Sequence, residues 1–251
     1  MTKGLFVLLL ACAGAANADI WHSGDLTTYT QGSWGGDPSL DAGAARLQAS
    51  YDTVYAGTFG VVTVGSTSRF TMSFTDAASV RTYLPTIGPF APLNGSVLNP
   101  ISTASGGFGG EVLGLQLNVD FSDAGFLPGA SGIRFGDLIL ENFSAHPAFN
   151  GLTVRQFRGD LNALLGGGST IFSIADLGST VADVNASFSA GNPSVFAQDH
   201  LVAPASAVPE PSSLRPVIAV ALGLGLPYRL RRVMIRRARN RVDERGLCRE
   251  S

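Results

Sequence analysis

Apolar side chains recur along this chain with two periods, two for a half-buried strand and roughly 3.6 for a helix face. The run 26–31 (Leu-Thr-Thr-Tyr-Thr-Gln) is rich in β-formers and predicts a strand, followed by a turn at Gly32, Ser33, Trp34, Gly35 and Gly36. Asp37 and Pro38 have the chemistry of a helix start. Leu40, Ala44, Leu47, Tyr51 and Val54 then lie on one helix face. Residues 61–64 and 69–75 predict a strand pair around Gly65 and Ser66. Asp76 predicts the cap of a short helix carrying Val80 and Leu84, stopped by Pro85. Residues 85–110 read as a long Gly/Pro/Asn/Ser loop. In 111–122, Leu113, Leu115, Leu117, Val119 and Phe121 alternate with Gly114, Gln116, Asn118 and Asp120, and a strand is preferred. Phe108, Val112, Leu115 and Val119 fit a helix about as well. A short strand is expected at 135–140. Val154, Phe157, Leu161 and Leu164 predict a helix over 154–165, ended by Gly166, Gly167 and Gly168. Ile174, Leu177, Val181, Val184 and Phe188 predict another over 173–188, ended by Gly191. The fold class is therefore α+β, one mixed domain of short strands and several helices, with helices weighted to its second half. There is no internal repeat.

Both ends of the chain have a different character. Lys3 precedes a short apolar stretch, 5–13, and then Ala16, Asn17 and Ala18 form an A-x-A site. This is the order of a secretory signal, 1–18, with cleavage before Asp19. A competing reading takes Leu9, Leu10, Ala11 and Cys12 as a lipobox, with lipid on Cys12. The body, 19–202, leads into a linker, 203–214, that contains Val208, Pro209, Glu210 and Pro211. The prolines hold this segment extended and deny it a helix, the form a processing enzyme requires. An apolar segment follows at 215–228. A basic tail, 229–251, opens with Arg229, Arg231, Arg232, Arg236 and Arg237. Arginines beside an apolar span stay on the cytoplasmic side, which puts the body outside.

This succession resembles the PEP-CTERM sorting signal of Gram-negative bacteria, in which a Val-Pro-Glu-Pro motif, one membrane helix and a basic tail stand together. The resemblance covers 208–239. It implies export through the secretory translocon, a membrane-held intermediate, recognition by an exosortase-type processing enzyme, and delivery to the cell surface or to extracellular polysaccharide. Arg215 and Pro216 stand where that family has apolar residues, and the uninterrupted apolar run of 13 residues, 216–228, spans about 20 Å as a helix. An amphipathic basic tail lying on the membrane is the alternative reading. The body also resembles a region of bacterial surface proteins of the same class, to which no activity is attached. The residues concerned are 29–35, 115–125, 135–138 and 166–170.

Charge sharpens this division. Residues 19–208 carry 15 acids and 6 arginines, whereas 209–251 carry 10 arginines and 4 acids, and Lys3 is the only lysine. An acidic, lysine-free body is not a nucleic-acid binder. The basic end suits the cytoplasmic leaflet. The two cysteines, Cys12 and Cys248, lie outside the body, which excludes internal disulfides, thiol catalysis and Cys-ligated zinc there.

Catalytic signatures are sparse. His22, His146 and His200 belong to no His-x-Glu or His-Glu-x-x-His pattern, and no Gly-x-Ser-x-Gly elbow occurs around Ser131. A Gly-Lys-Ser/Thr phosphate loop is excluded by the single lysine. The glycines at 106, 107, 109 and 110 do not complete a dinucleotide fingerprint. Asp120 and Asp123, with Asp137 and Glu141 beyond, are the best acidic cluster and a candidate for Ca2+, weighed against ordinary solvated carboxylates. No cofactor is implied. The chain is read as non-enzymatic. A carbohydrate-binding module or a paired-carboxylate hydrolase is the alternative, since carboxylate separation is a spatial quantity. A stably anchored or N-terminally lipidated protein is the other.

Overall fold

The computed structural model describes residues 21–205. The stretch read as a signal, with Ala16, Ala18 and Asp19, the alternative lipid site Cys12, the residues Val208, Pro209, Glu210 and Pro211, the apolar segment 215–228 and the tail arginines lie outside the described residues. What is described is a mixed α+β fold with seven α-helices and a few short strands. No helix among the described residues is long and apolar enough to cross a membrane.

The centre of this fold is a helix that the alternation at 111–122 conceals. Helix α4, Gly107–Asp123, has 17 residues, of which only Glu111, Gln116, Asp120, Ser122 and Asp123 are not buried. The preference for a strand is therefore corrected. A helix buried over most of its circumference is apolar over most of it, so its sequence shows no single narrow stripe and an accidental alternation looks like a strand. Its glycines let neighbours approach closely. A Cβ at Gly110 would lie 2.1 Å from Gln31 Oε1 and 2.5 Å from Thr86 Cγ2. Such contact outweighs the weak helix propensity of glycine.

The strand predicted at 26–31 and the turn after it are also corrected. Residues 26–29 are extended and buried but belong to no sheet, with only an isolated parallel bridge between Thr28 and Ser189. Tyr29 uses a side chain as its ladder partner. Its N–H donates to Asn118 Oδ1 at 2.8 Å, and Asn118 Nδ2 donates to the Tyr29 carbonyl at 2.8 Å. The expected turn is a short helix, α1, Gln31–Gly35, capped by Thr30, whose Oγ1 accepts from Ser33 N–H. It buries Trp34 between Tyr29 and Phe121, with ring centroids at 5.2 and 5.0 Å.

Helix α2, Ala42–Val54, starts later than its apolar spacing suggests. Asp37 Oδ1 accepts from the N–H and hydroxyl of Ser39, holding 37–40 as a turn, and Leu40 is left exposed while Ala44, Leu47 and Tyr51 are buried. The hairpin of β1, Val62–Gly65, and β2, Thr71–Phe74, is antiparallel, as the sequence predicts, with Val62 opposite Phe74. Val62, Val64, Met72 and Phe74 face inward. Helix α3, Ala77–Tyr83, is capped by Asp76 and stopped at Leu84 and Pro85, also as predicted. The expected loop 85–110 contains a third strand, β3, Val97–Leu98, parallel to β2, and the start of α4. At 135–140 the backbone makes a 3-10 turn, Phe135–Asp137, and only then β4, Ile139–Leu140.

Helix α5, Val154–Leu165, has the predicted bounds, fixed by a capping box of Thr153 and Gln156. Helix α6, Ile174–Ala186, has a matching box of Ser173 and Asp176 but stops before Phe188. Helix α7, Val195–His200, which the hydrophobic pattern does not reveal, is capped by Ser194 and runs into β5, Leu201–Val202, antiparallel to β4. One apolar core joins these elements, with Trp34, Tyr51, Phe74, Tyr83, Phe108, Phe121, Phe135, Phe157 and Phe188 essentially inaccessible.

Candidate functional site

The acidic cluster read from the sequence lies on the last turns of α4, and α5 faces it. Asp120 and Asp123 are three residues apart on one helix, and Arg155 and Arg158 are three apart on the other, so both pairs project from single faces. Arg155 grips Asp123 with both terminal nitrogens, at 2.6 and 3.0 Å, and reaches Asp137 at 2.9 Å. Arg158 donates to Asp120 at 3.0 Å. Gln116 Nε2 lies 2.9 and 2.8 Å from the two Asp120 oxygens, and Tyr55 Oη donates to Oδ2 at 3.1 Å.

Two acids at a helix C-terminus meet the negative end of the helix dipole, and the arginines offset that. Burial dominates at Asp120 and raises its pKa, against the lowering effect of Gln116, Arg158 and Tyr55. Tyr55 is raised well above the ordinary phenol range, first by burial and then by the charge of Asp120. Arg155 is raised further, chiefly by its bond to Asp123. The cluster is thus a set of closed ion pairs. A calcium ion at Asp120 or Asp123 would have to displace a guanidinium. No group of three or more His, Cys, Asp or Glu among the described residues is arranged to hold a metal ion. Glu141 stands apart, exposed, with its N–H donating to the His200 carbonyl at 3.0 Å. The sequence offered the carboxylates but not their partners, because α4 has to be read as a helix before the two three-residue spacings can be matched.

Beyond Asp123 the chain opens a cleft of about 310 Å³ between the 26–27 segment and the loop after α4. Leu26, Leu127 and Ile133 supply apolar walls, and Thr27, Ser122, Asp123 and Arg134 supply polar groups. Ser122 Oγ is engaged by the Phe135 N–H at 2.9 Å. The lining carries no aromatic ring on which a sugar face would stack.

The histidines are not assembled with a nucleophile. His22 is exposed beside Asp25, at 3.7 Å. His146 lies 3.9 Å from Asp176. His200 stacks on Phe143 with centroids at 4.4 Å, and its Nδ1 is 3.0 Å from the Glu141 carbonyl. Among the described residues no serine or threonine hydroxyl is hydrogen-bonded to a histidine ring. Ser131 Oγ accepts from the Ile133 N–H.

Comparison with protein-family models, with curated proteins and with solved structures finds no match for this chain. Its functional reading therefore rests on its own residues.

Proposed function

We propose that this is a non-enzymatic exported surface or extracellular-matrix protein, released from the membrane through its C-terminal sorting signal. One observation carries the reading: a Val-Pro-Glu-Pro motif, an apolar run and an arginine cluster stand in that order at 208–239, behind an N-terminal export signal. In this reading 19–202 is a single exported domain, 203–214 its linker and 215–228 one membrane helix. Pro209 and Pro211 present an extended backbone, and Glu210 gives it a charge that a processing enzyme reads beside the membrane. The apolar run holds the chain in the bilayer until the cut, and Arg229, Arg231, Arg232, Arg236 and Arg237 keep its end at the cytoplasmic face.

The body's composition supports the reading. An exported domain without cysteine depends on its core alone, and this one has an aromatic core. Each carboxylate of its arginine–carboxylate cluster is already paired with a guanidinium, which suits a structural part better than a reaction centre. The test is Glu210→Ala in the full-length precursor. The expected outcome is an unprocessed form retained in the inner membrane, followed by fractionation and by the mass of the chain. Normal release by that variant would refute the role of the motif.

A further inference from the structure

The first and last described segments are clasped to each other. The Gly24 N–H donates to the Gly191 carbonyl at 2.8 Å and the Thr28 N–H to the Phe188 carbonyl at 3.0 Å. The Phe188 N–H returns to Thr28 Oγ1 at 3.0 Å. Trp21 closes the seam. Its indole Nε1–H donates to the Leu201 carbonyl at 2.7 Å, and Gln198 Nε2 donates to the Trp21 carbonyl at 2.7 Å. The Trp21 ring also meets Phe188 edge-on at 5.3 Å. Trp21, Thr28, Phe188 and Leu201 are buried, so water does not compete for the Trp21–Leu201 and Thr28–Phe188 bonds.

The position of the seam gives it meaning. Trp21 follows closely on the signal cut at Ala18, and Leu201 shortly precedes the sorting motif at Val208. A chain held in one bilayer at both ends can complete its fold only if both ends of the fold reach the same membrane face. A body whose terminal segments are hydrogen-bonded partners meets that condition with no slack consumed in linkers. We infer that this clasp lets a doubly tethered chain close: the body reaches its final fold with the signal segment and the C-terminal apolar segment both still in the membrane, so folding requires neither cut. The two tethers rest on the proposed sorting reading, while the clasp rests on the seam alone.

Ser23 and Asn192 allow a test. Both are exposed, and Ser23 Oγ donates to Asn192 Oδ1 at 3.0 Å. With Cys12→Ser and Cys248→Ser, the pair Ser23→Cys and Asn192→Cys supplies the only thiols in the chain. Ala16→Leu with Ala18→Leu blocks the first cut and Glu210→Ala the second. The expected result is a 23–192 disulfide in the full-length, doubly tethered precursor to the same extent as in the chain left free to mature. A disulfide that forms only after the signal segment is removed would overturn the inference, and so would its absence from the mature chain. Trypsin applied to the same precursors without the added thiols reads closure independently: a resistant body is expected, and a sensitive one overturns the inference. Normal release of the Glu210→Ala chain would instead refute the sorting reading, leaving the cross-link in the signal-retaining chain to decide whether the clasp closes with the signal segment still attached.

Discussion

Asp120 shows how a single carboxyl records competing effects. Burial in the angle between α4 and α5 favours its neutral form, while Arg158, Gln116 and Tyr55 favour the charged one, and burial prevails. Its folded-state pKa therefore stands above the ordinary 3.8. The folded protein takes up this proton at a higher pH than the unfolded chain. The group's contribution to stability is accordingly complete below the unfolded value and is lost as pH rises through the folded one. Asp37 and Asp176 are shifted downward, mainly by hydrogen bonds from Ser39 and Ser173, and act in the opposite direction. Comparison with Asp120→Asn cancels their effect, because both proteins retain them. The stability advantage of the natural protein over Asp120→Asn should widen as pH falls from about 7 to about 3, read from urea midpoints at each pH. A gap that narrows on acidification would mean that the ion pair with Arg158, not burial, governs this carboxyl.

At the scale of elements, glycine in a helix has no fixed sign. Gly110 in α4 lies against Gln31 and Thr86, and the Gln31 side chain cannot swing aside easily. Its Oε1 accepts from the Thr86 N–H at 3.1 Å, and its Nε2 donates to Glu111 at 2.7 Å. Gly159 in α5 has open space where a Cβ would go. Gly159→Ala should therefore stabilise the protein by about 0.5–1 kcal/mol through helix propensity. Gly110→Ala should destabilise it by about 1–3 kcal/mol through overpacking. Equilibrium urea unfolding of the two variants checks both signs. The same contrast explains what was legible in the sequence. Helices α3 and α5 and the β1–β2 hairpin each have one wet face and one dry face, together with a cap or turn residue at the boundary, so their periodicity is visible. Helix α4 is buried except at Glu111, Gln116, Asp120, Ser122 and Asp123, and the extended 26–29 segment pairs with a side chain, so neither leaves a clear local pattern. Helix α7 is too short to show a period. The carboxylates of the candidate site were legible as residue types, whereas their arginine partners depend on the packing of two helices.

Across the described residues, a polar thread holds these elements in register inside a mainly apolar core. Asn118 on α4 binds both backbone groups of Tyr29 and donates to Asn185 Oδ1 at 3.0 Å on α6. Asn185 Nδ2 in turn donates to the Glu111 carbonyl at 3.0 Å and to its Oε2 at 2.8 Å. Through Glu111 and Gln31 the thread continues to the backbone after α3. Asn118 and Asn185 are fully buried, so no water replaces a lost partner. A leucine at position 118 has similar volume but supplies neither donor nor acceptor. It would strand the Tyr29 N–H, the Tyr29 carbonyl and Asn185 Oδ1, at about 1–3 kcal/mol for each group left unpaired. Asn118→Leu should thus lose at least about 3 kcal/mol by urea unfolding. Hydrogen exchange locates the loss. The Tyr29 amide should lose its protection even under conditions in which the α5 amides remain protected. If α5 opens to the same degree, the damage is a general loosening of the core and the thread is not a separate register device. If Tyr29 keeps its protection, the asparagine is not the partner that holds the N-terminal segment.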